Sequence, residues 1–561
     1  MSRLNRLGNR GGNEEEEKGR EKHAFTIPDS QTPISFSGVN CGVMLLPLSF
    51  LLFAQSTPQA GFTLYGPQGN FDTHLVDSNG QFVHTWSGSN FPGDSVYLRP
   101  NGNLLRTYKV SGFPGSNLGG SGGGIREYSW DSAVLHDFQM ANQTQQSHHD
   151  IAILPNGNVL MLTFDNVGQA AAISAGRDPS TIAGPNFWSE TILELDLSTG
   201  TVVWEWSVWD HLVQDFDPTK ANYNVVSDHP ELFDVNFPPG TARKGDWLHC
   251  NGIDYNANFD QIVISSRAWS EIWVIDHGDS NSEILYRWGN PQAYGRGTVA
   301  DQQLFNQHDP TWIPDDRPGA GNMLIFNNGT SRPAGTYSSV EEIVTPVDTN
   351  GNYPLALGAA YDPVSPVWTW TDNPPSNSFS ALISGCERQP NGNTLITLGS
   401  TGHLIEADPT GKQVWDWYSP NGERIFKARR YERFFWPGDA TVSIATGGRV
   451  TLDLVAGTAN ANRKYWIAGT LSGTSPGTDL GNGLTAPLNW DSFMDWSIRK
   501  VNGPVFNNFS GTLDANGSAA AVLDTLGPVS ASYSGLTMHF AFILLKPLDF
   551  VSNAIPVALL P

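Results

Sequence analysis

A four-residue turn motif recurs along this chain and limits its possible folds more than any other feature. Pro-Asn-Gly-Asn occurs at 100–103, 155–158 and 390–393, each time between two short apolar runs. Asn-Gly between two β-prone runs is a strong hairpin signal, because both residues tolerate positive φ. Degenerate copies of this hairpin start at 252 and 311. The pattern predicts a chain built from repeated β-hairpins.

A second hairpin follows each copy, with an apolar strand, a polar turn and a strand that ends in tryptophan. Copies start at 74, 192, 272, 342 and 403, and a weaker one starts at 125. Two hairpins make four antiparallel strands, which is one blade of a propeller. We therefore predict an all-β protein with a six-bladed β-propeller over 61–440. The stretch near 424 is predicted to complete the first blade and close the ring.

The strands after residue 440 lack the tryptophan repeat. Their alternating apolar pattern predicts a small C-terminal β-sandwich-like domain over 441–561, to which we assign no chemistry.

Charge excludes one class of partner. The formal net charge is −23, so a nucleic acid would be repelled unless a local basic patch overrode the global field. An anionic ligand would need a cationic pocket of its own.

The N-terminus predicts export. Residues 43–54 are an apolar run too short to span a bilayer comfortably, and the small residue Ala60 follows a few positions later. We predict that residues 1–60 are an N-terminal extension with an export signal cleaved near Ala60, which makes the protein periplasmic or extracellular. An N-terminal membrane anchor is the alternative. Removal of this segment would take Cys41 with it, and the sequence leaves open whether Cys250 and Cys386 pair or stay free.

Histidines fall at matching positions when the blades are aligned on their turns. His149, His249 and His308 are each predicted to begin the first strand of consecutive blades, and Asp94 and Ser384 hold that place in two others. The first strand of a propeller blade lines the central channel. The three imidazoles are therefore expected to face one funnel.

The hairpin of residues 245–267 adds an arginine to this rim. If its turn is centred near Asn258, antiparallel pairing sets Arg267 opposite His249. A one-residue bulge would turn Arg267 to the other face.

Two chemistries suit three histidines. They can bind zinc and leave one position open for water. A fixed guanidinium beside them disfavours a second cation and favours oxyanions. We therefore predict a site without a metal that holds a sulfate or phosphate group and stabilises charge developing during its transfer. One neutral imidazole could instead attack the group and form a covalent intermediate.

With these motifs the chain resembles the bacterial arylsulfate sulfotransferase family over about residues 61–440. The resemblance rests on HHDIAILPNGNVL at 148, WLHCNGIDYNANFDQIVISSR at 247, FNQHDPTWIPD at 305 with GNMLIFNNG at 321, and the W-x-W blade ends. It implies an exported six-bladed propeller that moves a sulfuryl group from an aryl sulfate to a phenol. It also implies that neither a cofactor nor the nucleotide donor PAPS takes part. The implied partners are small molecules, and the protein is not expected to bind a membrane after signal cleavage.

The resemblance also implies residue roles. His308 would be the nucleophile that is transiently sulfated in a ping-pong cycle. His249 and Arg267 would grip the sulfuryl oxygens, and His249 is preferred as the group that passes a proton to the departing phenolate. His149 would complete the oxyanion cradle, and strand alternation points the adjacent His148 away.

The resemblance is incomplete in one respect. The chain is expected to lack a counterpart of the family's amino-terminal β-domain, so the oligomeric state stays undetermined. Neither the donor nor the acceptor can be named from the sequence.

Two alternative functions stay open. A non-catalytic propeller that binds glycans or proteins is one alternative. A quinoprotein-type oxidoreductase is the other, because LDLSTGTVVWEW at 193 resembles its tryptophan-docking repeat, although such enzymes have eight blades.

Overall fold

A computed structural model of the protein describes residues 57–561, apart from 100–101, 130–131, 279–282, 433, 438–440, 458–459, 482–483 and 516. The predicted signal at 43–54 and Cys41 lie outside the described residues. Within them, two α-helices occur, Gly168–Ser174 and Ser492–Arg499, and the other long elements are strands. The prediction of an all-β propeller is confirmed. No helix in this part of the chain is long and apolar enough to cross a membrane.

Four-stranded antiparallel sheets organise the first part of the chain. The described residues up to 431 form six of them, named here sheets 1 to 6 in chain order. The strands of sheets 1 to 3 are Phe62–Pro67, Thr73–Val76 and Phe82–Trp86 with Ile425–Tyr431; Pro92–Leu98, Leu104–Lys109, Gly123–Tyr128 and Val134–Gln139; and Gln145–Ile153, Val159–Asn166, Trp188–Asp196 and Thr201–Ser207.

Sheets 4 to 6 repeat the same meander after a connection that holds one short parallel strand pair. That pair is Leu212–Val213 with Phe233–Asp234. The strands of sheets 4 to 6 are Cys250–Asn256, Gln261–Ser266, Glu271–Asp276 and Ile284–Trp288; His308–Trp312, Met323–Asn327, Ser339–Ile343 and Trp368–Trp370; and Gly385–Arg388, Thr394–Leu398, His403–Ala407 and Gln413–Tyr418.

The glycine of the repeated turn has the same conformation in its three copies. Gly102, Gly157 and Gly392 have φ values of 92°, 90° and 89°, a region that is open to glycine and strained for other residues. In the second copy, the amide of Gly157 donates to the carbonyl of Leu154 at 2.9 Å. The motif is therefore a structural device that joins the first two strands of a sheet.

The ring is closed by a late strand. Ile425–Tyr431 pairs antiparallel with Phe62–Pro67, which confirms the prediction that the stretch near 424 completes the first sheet. The innermost strand of each sheet contacts that of the next, and the late strand contacts both Pro92–Leu98 and Gly385–Arg388. The innermost strands therefore surround a common axis.

Tryptophans near the last strands tie neighbouring sheets at the outside. The indole N–H of Trp86 in sheet 1 donates to the carbonyl of Ser129 at 3.0 Å. Trp415 in sheet 6 donates in the same way to Ser78 at 2.7 Å. The tryptophan repeat thus has a structural role in this propeller.

The C-terminal part of the chain forms two sheets that share a core. Phe435, Leu452 and Phe542 are buried in one hydrophobic cluster that draws on both sheets. The predicted division at residue 440 stays a prediction. One sheet contains Phe435–Pro437, Arg449–Val455, Ser518–Asp524 and Phe506–Asn507, the other contains Thr441–Ser443, Ile555–Leu560, Thr537–Leu545, Lys464–Thr470, Ser510–Thr512 and Phe550–Val551, and a separate pair is Thr478–Gly481 with Leu484–Ala486.

A buried ionic network lies between the innermost strands. The Lys427 ammonium donates to Asp150 at 2.6 Å and to Asp309 at 2.9 Å, and the Arg429 guanidinium donates to both carboxylate oxygens of Asp309 at 2.6 and 3.0 Å. Burial acts to raise the pKa of Asp309, but the two cations outweigh burial and hold the pKa well below its usual range. Asp309 therefore stays ionised.

Groups from the remaining sheets complete this network. The Tyr97 hydroxyl donates to Asp150 at 2.9 Å, and the Ile253 amide donates to the same carboxylate at 3.2 Å. The Cys386 amide donates to Asp309 at 2.9 Å. Every one of sheets 1 to 6 thus contributes a partner to a single network at the axis.

Lys427→Met is expected to destabilise the protein strongly, because it leaves two buried carboxylates short of a counterion. Breaking a buried pair in this way costs about 3–5 kcal/mol in the free energy of unfolding. Chemical denaturation followed by tryptophan fluorescence measures the change. Lys500→Met, at an exposed lysine, is the control and should shift the free energy by less than about 0.5 kcal/mol. Equal free energies of unfolding for the two variants would contradict a stabilising role for the network.

Candidate active site

The innermost strands share a backbone irregularity near one end. The pairing register shifts after Pro92, His148, Cys250 and His308, which marks a β-bulge in four successive sheets. His149 and His249 have φ values of 45° and 48°, a left-handed conformation that non-glycine residues seldom adopt. Bulges and strained backbone of this kind are frequent at functional sites, where they re-aim side chains.

The histidines were predicted to begin their strands, and the structure differs from this prediction at two of them. His308 begins its strand as expected, and His249 lies one residue before its strand. His149 lies inside strand Gln145–Ile153, because the bulge lets the strand start four residues earlier.

The four predicted site residues line one cavity. His149, His249, Arg267 and His308 all border a space of about 730 Å³. The ring centroids of His149 and His249 are 5.0 Å apart, and each of the three histidines is electrostatically coupled to the other two. The structure thus brings together residues from sheets 3, 4 and 5.

Arg267 lies opposite His249, but through a bulge: the turn pairs Asn256 with Gln261, and the bulge after Cys250 shifts the register by one residue. The Arg267 amide donates to the His249 carbonyl at 3.2 Å. Its guanidinium Nε is buried and has no hydrogen-bond partner among the described residues. Burial lowers the pKa of Arg267, and Asp246 opposes this shift. The site therefore contains a guanidinium with hydrogen-bonding capacity to spare.

The cavity is cationic within an acidic protein. Its lining includes six basic side chains, Lys109, Arg177, Arg243, Lys244, Arg267 and Arg424, against two carboxylates, Asp94 and Asp246. The formal excess of four positive charges contrasts with the net charge of −23 for the chain. Such a cleft concentrates anions.

Asn328 sets the protonation pattern of His308. The amide nitrogen of Asn328 donates to the carbonyls of Ser380 at 2.7 Å and Ile383 at 2.8 Å, so its oxygen faces His308. That oxygen lies 2.6 Å from Nδ1 of His308 and can only accept, so Nδ1 carries the proton. Burial lowers the pKa of His308 to about 3, although the Asn328 bond acts against this. His308 is therefore neutral, with the lone pair on Nε2.

His249 has a different partner. Its Nδ1 lies 2.6 Å from Oδ2 of Asp246, so the ring donates to a carboxylate. A carboxylate in this position orients the ring and leaves Nε2 on the opposite side. His249 is thereby suited to give or take a proton at Nε2.

His148 points away from the cavity, as strand alternation predicts. It stacks on Phe164 with ring centroids 3.6 Å apart, and its Nε2 lies 2.7 Å from Glu190. Its Nδ1 lies 2.8 Å from Nδ1 of His149. His148 thus lies directly behind a residue that lines the cavity.

Several contributors to the site carry no sequence signal. The fold brings Asn328 and Glu190 to their histidines, whereas Asp246 lies three residues before His249. Asp94, which holds the histidine position in sheet 2, also borders the cavity, and burial raises its pKa to about 7 against the nearby Lys109. Gly119 and Gly120 also border the cavity.

The cysteines do not pair. Cys250 and Cys386 are both free and buried. Of the two options left open by the sequence, the structure therefore shows separate thiols.

The structure is thus a propeller with a cationic, histidine-lined cavity. Comparison with known families is more specific. The Arylsulfotransferase (ASST) family model matches residues 71–415, which is more than half of the chain, so the chain belongs to this family. This membership supports an aryl sulfate sulfotransferase activity with small aryl sulfate and phenol substrates.

Other comparisons are less informative. No curated protein matches the chain. Similar solved structures include a protein of unknown function from Bacteroides caccae, with 14% identity, a TM-score of 0.38 and coverage of 66% of this chain and 98% of that chain. Virginiamycin B lyase from Staphylococcus aureus has 9% identity, a TM-score of 0.32 and coverage of 64% and 85%. AztD from Citrobacter koseri has 9% identity and a TM-score of 0.30, with coverage of 66% of this chain and 98% of that chain.

Gly120→Ala is expected to impair the site. The added Cβ would lie 1.8 Å from Nε2 of His149, so the imidazole would have to move. A displacement of about 1 Å in an active site can cost about a hundredfold in activity. The measurement is kcat/KM for phenol-dependent release of nitrophenol from nitrophenyl sulfate.

Gly112→Ala is the matched control. Gly112 also has positive φ, but its added Cβ would meet nothing within 4 Å. This variant carries the backbone strain without the clash, so its kcat/KM should stay within about threefold of wild type. Equal losses in the two variants would show that strain, and not contact with His149, causes the defect.

Proposed function

We propose that this protein transfers a sulfuryl group from an aryl sulfate to a phenol by a ping-pong cycle in which His308 is transiently sulfated at Nε2. The observation that carries this proposal is the Nδ1–H of His308 donating to Asn328, which leaves the Nε2 lone pair available. A neutral imidazole with a fixed tautomer is a competent nucleophile. No nucleotide donor or other cofactor takes part in the proposed cycle.

Binding of the donor uses the charge and shape of the cavity. Arg267 offers N–H groups to the sulfuryl oxygens, and the basic lining compensates the negative charge of the sulfate ester. Leu118, Pro238 and Trp247 border the same space and offer apolar contact to the aryl ring. Both parts of an aryl sulfate therefore find matching surroundings.

In the first half of the cycle, His308 Nε2 attacks sulfur and the bond from sulfur to the aryl oxygen breaks. The departing phenolate takes a proton from His249, whose ring is oriented by Asp246. Arg267 and His149 stabilise the negative charge on the sulfuryl oxygens. The product phenol leaves, and His308 keeps the sulfuryl group.

In the second half, an acceptor phenol gives its proton to His249 and its oxygen attacks sulfur. The bond between sulfur and nitrogen breaks, and the electron pair returns to His308 Nε2. The proton lost by His249 in the first half is thus regained in the second. Each turnover leaves the protein in its starting protonation state.

The proposal includes export. Cleavage near Ala60 would remove the apolar run at 43–54 and leave the first strand, which begins at Phe62. Mass spectrometry of the mature N-terminus tests this site.

His308→Asn is expected to abolish transfer, because the asparagine side chain cannot accept the sulfuryl group. Loss of a covalent nucleophile typically costs several orders of magnitude, about 10⁴-fold or more in kcat. His403→Asn, a histidine that stacks on Tyr418 outside the cavity, should retain activity. Incubation with aryl sulfate alone, followed by peptide mass spectrometry, should show sulfate on the peptide containing His308.

An active protein without this modification would contradict the covalent cycle. A wild-type protein with no phenol-dependent release from any aryl sulfate would instead favour the non-catalytic propeller.

The low pKa of His308 predicts a weak pH dependence of its sulfation. An ordinary histidine is mostly protonated below about pH 6 and would lose its lone pair. With a pKa of about 3, His308 stays unprotonated well below that pH. Single-turnover sulfation with nitrophenyl sulfate, whose leaving group needs no proton, should therefore have nearly equal rates at about pH 5 and pH 7. A rate that falls tenfold over this interval would contradict the assignment.

A further inference from the structure

Two buried side chains, Glu190 and His148, lie behind His149, and the three groups form a hydrogen-bonded chain. Oε2 of Glu190 is 2.7 Å from Nε2 of His148, and Nδ1 of His148 is 2.8 Å from Nδ1 of His149. The side chains of His148 and Glu190 are 0% and 2% exposed. The other carboxylate oxygen of Glu190 accepts the Cys250 amide at 3.0 Å. The chain therefore connects a buried acid to a side chain that borders the cavity.

Electrostatics determine where the protons of this chain lie. The hydrogen-bond partners of Glu190 among the described residues are an imidazole and an amide, with no fixed cation. Burial raises the pKa of Glu190 well above its usual range, and Asp246 and Asp165 act in the same direction. Burial and the nearby His249 lower the pKa of His148. Both groups are therefore neutral, since a buried charge without a counterion is costly.

One protonation pattern follows from a neutral acid. Glu190 donates its O–H to Nε2 of His148, so His148 carries its proton on Nδ1 and donates it to Nδ1 of His149. A neutral His149 must then carry its own proton on Nε2. This is the opposite tautomer from His308, whose Nδ1 holds the proton.

We propose that Glu190, acting through His148, fixes His149 as an Nε2–H donor toward the sulfuryl group of the substrate. Glu190 and His148 are positioning residues, because neither touches the substrate. The inference rests on the proposed function and deepens it. It explains how neighbouring imidazoles of the same residue type take different roles, His149 as donor and His308 as nucleophile.

Loss of the Glu190 proton would reverse the direction of the hydrogen bonds from Glu190 to His149. An ionised carboxylate accepts from Nε2 of His148, whose Nδ1 then accepts from Nδ1 of His149. Nε2 of His149, which lies beside Gly120 at the cavity wall, would then carry a lone pair and repel a sulfuryl oxygen. His249, His308 and Arg267 face His149, and Asp165 and Asp246 act on Glu190. As pH rises through the pKa of Glu190, affinity for the donor is therefore lost.

The test compares two substitutions at Glu190. In Glu190→Gln, the amide oxygen can accept from Cys250 and the amide nitrogen can donate to His148, which reproduces the protonated acid and cannot ionise. This variant should keep kcat/KM within about threefold and should lose the alkaline rise in KM for aryl sulfate. Glu190→Met removes the donor and should raise KM by about tenfold to a hundredfold, as expected for a hydrogen bond to a charged group.

Calorimetric titration with inorganic sulfate supplies a readout that does not depend on turnover. Glu190→Gln should bind sulfate like wild type, and Glu190→Met should bind about tenfold more weakly or worse. A melting temperature measured for each variant identifies a folding defect, and the comparison of Glu190→Gln with wild type stands without the Met variant.

Two results would overturn the inference: a Glu190→Gln variant that loses affinity, or one that keeps the wild-type alkaline profile. Failure of the proposed function has a different signature, because wild-type protein would then bind sulfate with the expected variant pattern but transfer no sulfuryl group.

Discussion

The ionic network at the propeller axis is the interaction on which the rest of the structure depends. Lys427 and Arg429 come from the strand that closes the ring, and the two carboxylates they hold belong to sheets 3 and 5. A buried lysine and two buried aspartates are costly unless they pair. Their pairing requires the first and last parts of the propeller to be in place, so closure of the ring and neutralisation of the axis are one event.

This network also positions the candidate active site. Asp150 follows His149 and Asp309 follows His308, so each carboxylate anchors the backbone of a histidine that borders the cavity. Residues with left-handed backbone lie within these bulges, with His149 at φ 45° in sheet 3 and Asp309 at φ 53° in sheet 5. Strain of this kind persists only where the surroundings over-determine it. The network supplies that constraint, and the histidines converge as a consequence.

Much of the site could be predicted from the sequence, because its residues follow the repeat. The turn motif supplies a register, the register aligns the histidines, and hairpin pairing brings Arg267 opposite His249. The bulges were not predictable, because they arise from packing of neighbouring strands and leave no composition signal. Asn328, Asp246 and Glu190 were missed for the same reason. Asn328 and Glu190 reach their histidines across 20 and 42 residues of sequence, and Asp246 lies three residues before His249, where no repeat pattern marks it.

The sequence alone determined the all-β class, the closing role of the late strand and the set of side chains at the channel mouth, since turn chemistry and strand period are local properties. Tertiary structure decided what each imidazole does. A histidine has the same two nitrogens everywhere, and which one carries the proton depends on the group placed beside the other. For His308 that group is an amide oxygen, for His249 a carboxylate, and for His149 another imidazole. Only folding brings these partners within hydrogen-bonding distance, because they are distant in sequence or aimed by a backbone bulge.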